Sequence, residues 1–145
     1  MADFVAGPIA RQKKGQVKFL VMWTWGVLPN GKLARESKLK FAGGMEHPAE
    51  RGDLEATFRA EVEEETGLII RPSAPIKYLG FVRRGEHDKH FMLAWRRDCD
   101  GNLRKKSIRD GKTLLGRPFF ATYEFLEENL YENHREFLPK LPRSA

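Results

Sequence analysis

Hydrophobic and polar positions alternate in short runs along much of the chain, a pattern typical of strands. Residues 17–25 are rich in β-branched and aromatic side chains and predict a long strand. A first strand is expected from Phe4 to Ala10, with a turn at Lys13-Lys14-Gly15 before the second. Further strands are predicted at residues 39–41, 76–82 and 90–95.

The most regular helical pattern lies near the middle of the chain. Leu54, Phe58 and Val62 recur every four residues, which places them on one face of a helix. Asp53 is a favourable N-cap and Gly67 a natural stop, so the helix is expected between them. The alternation of strands and helices predicts an α/β domain. Two shorter helices are expected at residues 123–130 and 134–138.

Composition fits one domain over residues 1–145, since 41% of the residues are hydrophobic and can form a core. Two prolines and the absence of periodicity predict a frayed tail at residues 138–145. No run approaches the roughly 20 apolar residues that cross a bilayer, so no membrane partner is expected. The single cysteine, Cys99, agrees with a reducing compartment and favours a cytoplasmic location.

Charge is unevenly distributed. The formal net charge of +6 favours anionic partners such as nucleotides or nucleic acid. Residues 53–65 nevertheless carry six acidic side chains and only one basic one, Arg59. Residues 96–117 carry eight basic side chains and are expected to form a solvated, mobile loop or a binding loop, with a hairpin at Asp100-Gly101.

The glutamates of the predicted helix do not all face away from its apolar side. On a helical wheel Glu65 lies about 20° and Glu61 about 60° from Phe58, with Glu64 beside them. A merely solvated acidic face would point away from the core. The helix dipole disfavours anions in these C-terminal turns, and Arg59 points away from the cluster. Three oxygen donors on one face favour Mg²⁺ or Mn²⁺ over zinc.

Two segments resemble the signature of the Nudix hydrolases, G-x5-E-x7-R-E-U-x-E-E-x-G-U, where U is aliphatic. Residues 61–68 (EVEEETGL) satisfy six fixed positions in a row, and Gly44 and Glu50 satisfy the opening. The chain departs from the signature in two respects. The two halves are two residues further apart, and Ala60 stands where the family has an arginine that helps to orient the glutamates.

The resemblance implies a Nudix-type α/β/α sandwich with a mixed sheet, formed here by a single domain. It also implies metal ligands at Glu61, Glu64 and Glu65 and at the backbone carbonyl of Gly43, with Mg²⁺ or Mn²⁺ as the cofactor. Glu61 or Glu65 would be the catalytic residue that orients or deprotonates the attacking water. The expected reaction is hydrolysis of a nucleoside diphosphate linked to another group.

The two-residue insertion is placed in the loop at residues 46–52, because Asp53 still caps the helix. The correspondence between Glu50 and the first glutamate of the signature is therefore weak. Together with Ala60, the insertion supports an alternative function, a catalytically impaired Nudix-like module that binds a nucleotide or RNA. A nucleic-acid-binding domain unrelated to Nudix proteins would leave the glutamate cluster unexplained, so nucleic acid is not favoured as the partner. The sequence does not decide whether the chain forms a homodimer.

Other side chains allow two interpretations each. Arg83 and Arg84 lie between two predicted strands and are candidate substrate-binding residues for phosphate oxygens, or part of a solvated hairpin tip. Glu86 or Asp88 nearby would supply a further ligand or base if that loop reaches the site. His47 and His90 are expected in ordinary surface or strand-edge positions. Trp23 and Trp25 are expected in the core or as a platform for a stacked base.

Overall fold

The computed structural model describes residues 3–47, 49 and 51–143. Five strands precede the first α-helix of the described chain, and the other two α-helices follow the last strand. The strands are β1 (Phe4–Gly7), β2 (Ile9–Lys13), β3 (Gln16–Val27), β4 (Leu33–Lys40), β5 (Ala42–Met45), β6 (Leu68–Ile70), β7 (Lys77–Arg84), β8 (His87–Trp95), β9 (Cys99–Gly101), β10 (Ile108–Asp110), β11 (Thr113–Leu115) and β12 (Phe119–Thr122). The α-helices are α1 (Leu54–Thr66), α2 (Tyr123–Asn129) and α3 (Glu132–Arg135), and short 3₁₀ helices cover Arg96–Asp98 and Leu138–Lys140.

One mixed sheet includes ten of the described strands. The long strand β3 pairs antiparallel with β2, β4, β11 and β12 along its length. Strand β1 pairs antiparallel with β5 and parallel with β8, so the sheet is mixed, as expected. Strands β6 and β9 form a separate two-stranded ladder.

The first predicted strand is divided at Pro8. A proline has no backbone N–H and cannot donate to a ladder, so it interrupts the pairing. Its carbonyl still accepts a hydrogen bond of 3.3 Å from the N–H of Ala94. As a result β1 extends beside β5, and β2 turns back into β3.

Helices cover both faces of the sheet, which confirms the α/β/α sandwich. On one face α1 buries Phe58 and Val62 against Val5, Met22 and Met92. On the other face Leu126 of α2 and Phe137, which precedes the last 3₁₀ helix, are buried against strand residues. Those strand residues are Phe19, Val21, Leu39, Phe91 and Leu93.

Helix α1 begins and ends as the sequence predicts. The Asp53 side chain accepts a hydrogen bond of 2.9 Å from the N–H of Ala56. Gly67 has a φ of 88°, and its N–H donates to the Glu63 carbonyl at 3.0 Å. This left-handed conformation favours glycine because it has no Cβ. None of the described helices is long and apolar enough to cross a membrane.

Two expectations about irregular segments are corrected. The basic segment 96–117 is not a loop throughout, because β9 pairs with β6 and a hairpin joins β10 to β11. That hairpin turns after Asp110, not at Asp100-Gly101. Since β10 lies at the end of the sheet, its side chains are largely exposed and its sequence shows no apolar alternation.

The C-terminal segment also differs from the expected frayed tail. Leu138 and Leu141 are buried in the core below the C-terminal helices, and Leu138 opens a 3₁₀ helix. Helix α3 ends at Arg135 rather than continuing to Leu138. Residues 144 and 145 lie outside the described residues.

Candidate active site

Helix α1 packs against β5 and β1, and two of its glutamates face these strands. Glu61 and Glu65 are only 6% and 8% exposed, whereas Glu63 and Glu64 are exposed. The helical wheel predicted this division, with two carboxylates on the side of the core. Burial of carboxylates is costly unless they are paired, hydrogen-bonded or bound to a metal.

A glycine pair on β5 allows the close approach of both glutamates. The N–H of Gly43 donates a hydrogen bond of 2.9 Å to Oε1 of Glu65. A Cβ at Gly44 would lie 2.7 Å from the carboxyl carbon of Glu61, and one at Gly43 would lie 2.4 Å from the carbonyl oxygen of Val5. Both distances are too short for a side chain, so the arrangement requires glycine at both positions.

A histidine joins the acidic cluster. Nε2 of His47 lies 3.6 Å from Oε1 of Glu61. Ligand atoms of His47, Glu61 and Glu64 all lie within 4.8 Å of one another, so these three residues could hold a metal ion. Two carboxylates and an imidazole are suitable ligands for a divalent cation. His47 is exposed, in agreement with the expected surface position, but its proximity to Glu61 was not predicted from the sequence.

Glu65 lies on a different side of this cluster. It lines a cavity of about 160 Å³ together with Thr24, Lys40 and Asp110. Burial raises the pKa of Glu65 to about 8, opposed by the hydrogen bond from Gly43. The negative charges of Glu61 and Asp110 raise the pKa further, and Lys40 opposes them. Burial and the neighbouring negative charges therefore disfavour the ionised form of Glu65.

Glu46 anchors the loop that carries His47. Its carboxylate accepts one hydrogen bond from the N–H of Asp3 at 3.0 Å and another from the N–H of Gly52 at 2.8 Å. The side chain is 8% exposed. Glu46 thus closes the loop that contains the two-residue insertion, a role that sequence reasoning missed. Glu50, which matches the first glutamate of the signature only weakly, lies outside the described residues.

Arg83 and Arg84 lie at the end of β7, and both pair with carboxylates of this chain. Nε of Arg83 is 2.8 Å from Oδ1 of Asp88, and Arg84 pairs with Glu136. Neither pairing tests whether the arginines bind substrate, so that role stays a prediction.

A second group of metal-ligand type consists of Asp3, Asp88 and His90. Here Nε2 of His90 lies 3.1 Å from Oδ2 of Asp3, and Nδ1 lies 2.7 Å from the hydroxyl of Tyr78. Arg83 supplies a positive charge to Asp88. The polar groups of this cluster are therefore largely satisfied by the chain itself.

The model of the NUDIX domain matches residues 4–141, which is nearly the whole chain. The chain belongs to the Nudix family. Members generally use divalent metals, and the family supports a hydrolase that acts on diphosphate-containing compounds. No curated protein matches the sequence at a significant level.

Solved structures share the Nudix fold at low sequence identity. A MutT Nudix hydrolase from Burkholderia pseudomallei is 17% identical, with a TM-score of 0.64 over 97% of this chain and 98% of that one. The Nudix domain of Shewanella oneidensis NrtR, complexed with ADP-ribose, is 14% identical, with a TM-score of 0.64 over 94% and 83% of the two chains. An Ap4A hydrolase from C. elegans is 16% identical, with a TM-score of 0.57 over 95% and 94%.

Ala60 occupies the position of the arginine in the Nudix signature. Ala60 is half-buried, and the neighbouring Arg59 points the other way, as expected. Arg59 donates hydrogen bonds to three backbone carbonyls of the segment that follows α1. These belong to Ile70 at 3.3 Å, Arg71 at 2.7 Å and Ala74 at 3.1 Å. Arg59 therefore fixes that segment, and the N–H of Gly43 orients Glu65.

Proposed function

We propose that this Nudix protein is a pyrophosphohydrolase that depends on Mg²⁺ or Mn²⁺ and cleaves a nucleoside diphosphate linked to another group. The observation that carries the proposal is the convergence of His47, Glu61 and Glu64 within 4.8 Å, beside the glycine pair. The buried carboxylate of Glu61 and the exposed carboxylate of Glu64 lie close enough to repel one another, and a divalent cation offsets that repulsion.

The cluster would hold the cation through the carboxylates of Glu61 and Glu64 and the imidazole of His47. The carbonyl of Gly43, on the strand that faces Glu61, would complete the ligands. A bound divalent cation neutralises a diphosphate and stabilises the charge that develops on phosphoryl oxygens. The helix end alone disfavours the negative charge of these glutamates, so cation binding also stabilises α1.

Glu65 is proposed to orient the attacking water, with Glu61 as the alternative. Its carboxylate is held by the N–H of Gly43 at 2.9 Å and lines the small cavity beside the cluster. Lys40 and Asp110 line the same cavity. We propose that Lys40 contacts the phosphate oxygens there, and that Arg83 and Arg84 contribute only if substrate displaces their present carboxylate partners.

The substrate class is tested with a panel of nucleoside triphosphates, nucleotide sugars, ADP-ribose and Ap4A. The last two are included because two proteins of similar fold are named with them. Products are separated with Mg²⁺, with Mn²⁺ and with EDTA, and water labelled with ¹⁸O shows whether oxygen enters the phosphate. Cleavage that needs the cation and incorporates the label supports the proposal.

A matched set of variants assigns the reaction to this site. Glu61→Gln and Glu64→Gln should reduce turnover by at least about 100-fold, because each removes a charged ligand. Glu63→Gln is the control, since Glu63 lies on the same helix, is exposed and is not part of the cluster. Cation binding without cleavage of any compound would favour the alternative, a nucleotide-binding module that has lost catalysis.

A further inference from the structure

A second cleft lies on the other face of β3 from the glutamates. Side chains alternate along a strand, so Thr24 faces the glutamate cavity while Trp23 and Trp25 face this cleft. Its volume is about 880 Å³, which is within the usual range of small-molecule sites. Strand β3 passes from pairing with β12 to pairing with β11 at this point, and the cleft opens beside the gap.

Three aromatic rings line the cleft. Trp23, Trp25 and Phe119 are all half-buried, so part of each ring faces the open space. Phe125 packs edge-on against Trp23 and Phe119, with ring centroids at 6.5 and 6.0 Å, and supports them from the core side. Rings that are fixed on one side and open on the other can stack on a planar ligand at low entropic cost.

Gly116 keeps the floor of the cleft open next to Trp25. Its N–H donates a hydrogen bond of 2.7 Å to the carbonyl of Trp23. A Cβ there would lie 3.2 Å from Cζ3 of Trp25. The backbone thus passes directly beside the indole ring, and the ring keeps its exposed part in the cleft.

The charges around the cleft are positive. Lys105 and Arg117 are exposed, and neither forms an ion pair within the part of the chain that the structure describes. No described acidic residue lines the cleft. Arg104 also lines it, but its guanidinium donates to the carbonyls of Glu65 and Lys106 at 2.7 and 2.6 Å. Arg104 therefore positions the loop, and Lys105 and Arg117 remain available to bind an anion.

We propose that this cleft binds a nucleobase with its attached phosphate, as a second site separate from the glutamate cluster. The base stacks on Trp23 or Trp25, and Lys105 and Arg117 bind the phosphate. Sequence-tolerant stacking combined with lysine and arginine contacts is the usual means of holding single nucleotides or single strands. The same chemistry is present in a free nucleotide and at an exposed base of a single-stranded nucleic acid.

The test uses the tryptophan fluorescence of the full chain during titration with AMP and UMP in the presence of EDTA. A nucleoside monophosphate contains no diphosphate, and EDTA removes divalent cations, so cation-dependent binding of a diphosphate at the proposed hydrolytic site does not contribute. Saturable quenching is expected, because two of the three tryptophans line the cleft. A short oligothymidylate is titrated in parallel. Much tighter binding of the oligonucleotide identifies a nucleic acid strand as the source, and equal binding identifies a free nucleotide.

Variants locate the binding. Lys105→Ala with Arg117→Ala should weaken AMP binding about tenfold, since each removes a charged contact to phosphate. Trp25→Leu should weaken it by a similar factor of about ten through lost stacking. Lys13→Ala with Lys14→Ala, at the distant β2–β3 turn, is the charge-matched control and should leave the affinity unchanged. Circular dichroism checks that each variant is folded.

Three results would overturn the proposal. They are an absence of saturable quenching by AMP, UMP and the oligonucleotide, equal affinity in the wild-type chain and in both cleft variants, and loss of binding in Glu61→Gln. The last result would place the nucleotide at the glutamates instead. Since hydrolysis is not measured, failure here leaves the proposed hydrolytic function standing, and failure of that function leaves this proposal standing.

Discussion

The carboxylate of Glu61 lies so close to Gly44 that no side chain fits at position 44 without moving it. The Cβ that any other residue would place at position 44 falls 2.7 Å from both the carboxyl carbon and Oε1 of Glu61. The glutamate is itself buried and lies against His47 at 3.6 Å. The position of the Glu61 carboxylate, and with it the geometry of the proposed cation site, therefore depends on the absence of a side chain on β5.

Gly44→Ala is expected to reduce turnover by about 100-fold with little loss of stability, because the methyl group displaces the flexible end of a side chain by a large part of an ångström. Gly43→Ala provides the contrast. There the methyl group meets the backbone of Val5 and Ala6 at 2.4 to 2.8 Å, so the β1–β5 pairing itself must shift. This variant should lose about 1–3 kcal/mol of unfolding free energy.

Urea unfolding and a hydrolysis assay on the same preparations separate these effects. If Gly44→Ala unfolds as readily as Gly43→Ala, the glycine serves the fold rather than the position of Glu61. If it is as active as the wild type, the carboxylate of Glu61 can move without consequence, and its proposed role as a ligand is wrong.

The imidazole of His47 should make the site favour softer cations. Imidazole is a better ligand for Mn²⁺, Co²⁺ or Zn²⁺ than for Mg²⁺, whereas carboxylates suit Mg²⁺ well. We expect His47→Ala to weaken Mn²⁺ binding about tenfold or more and Mg²⁺ binding much less. Isothermal titration with each cation measures the ratio directly. His87→Ala is the control because His87 lies on β8, outside both metal-ligand groups. An equal loss for both cations would mean that His47 acts only through the loop.

Sequence patterns predicted the acidic helix well because its determinants are local. Asp53, Gly67 and the apolar spacing of α1 act within a few residues of each other, and so does the direction of Glu61 and Glu65. Glu46 and His47 could not be assigned in the same way. Their partners come from Asp3 and from α1, so their roles arise only when distant segments meet.

The basic segment 96–117 was misread for a related reason. Strands β10 and β11 pair near the edge of the sheet, where polar side chains are exposed and apolar alternation is weak. Strand β11 pairs with β3, which lies about ninety residues earlier in the chain. Charge density therefore indicated a loop, although the backbone joins the sheet. Likewise, two prolines indicated a frayed end, while Leu138 and Leu141 complete the core.

Arg59 is expected to stabilise the fold without taking part in hydrolysis. Its guanidinium donates hydrogen bonds to the carbonyls of Ile70, Arg71 and Ala74. Arg59→Ala should therefore lower the free energy of unfolding by about 1–3 kcal/mol. Exposed Arg35→Ala is the matched control and should change it little. A large fall in turnover at full stability would show instead that Arg59 replaces the arginine of the Nudix signature.

His134 should make the protein less stable in mildly acidic solution. The ring is buried, stacks on Phe41, and accepts a hydrogen bond of 3.3 Å at Nδ1 from the Phe41 N–H. Burial and the nearby charges of Lys89 and Lys40 lower the pKa of His134 well below its usual value of 6.5. The folded state therefore keeps the ring neutral, while the unfolded chain binds a proton near pH 6.5.

Because the unfolded state binds more protons in this range, the stability contribution is complete above pH 6.5 and decreases as the pH falls below it. Urea unfolding at pH 7.5 and at pH 5.5 measures the difference, with His134→Gln as the comparison. Glutamine can accept the Phe41 N–H but does not titrate, so this variant should be less stable at pH 7.5 and lose less stability on acidification. The other histidines are the same in both proteins, so their contribution to the pH dependence of stability cancels in the comparison. If both proteins lose stability equally between the two pH values, protonation of His134 does not drive the acid sensitivity.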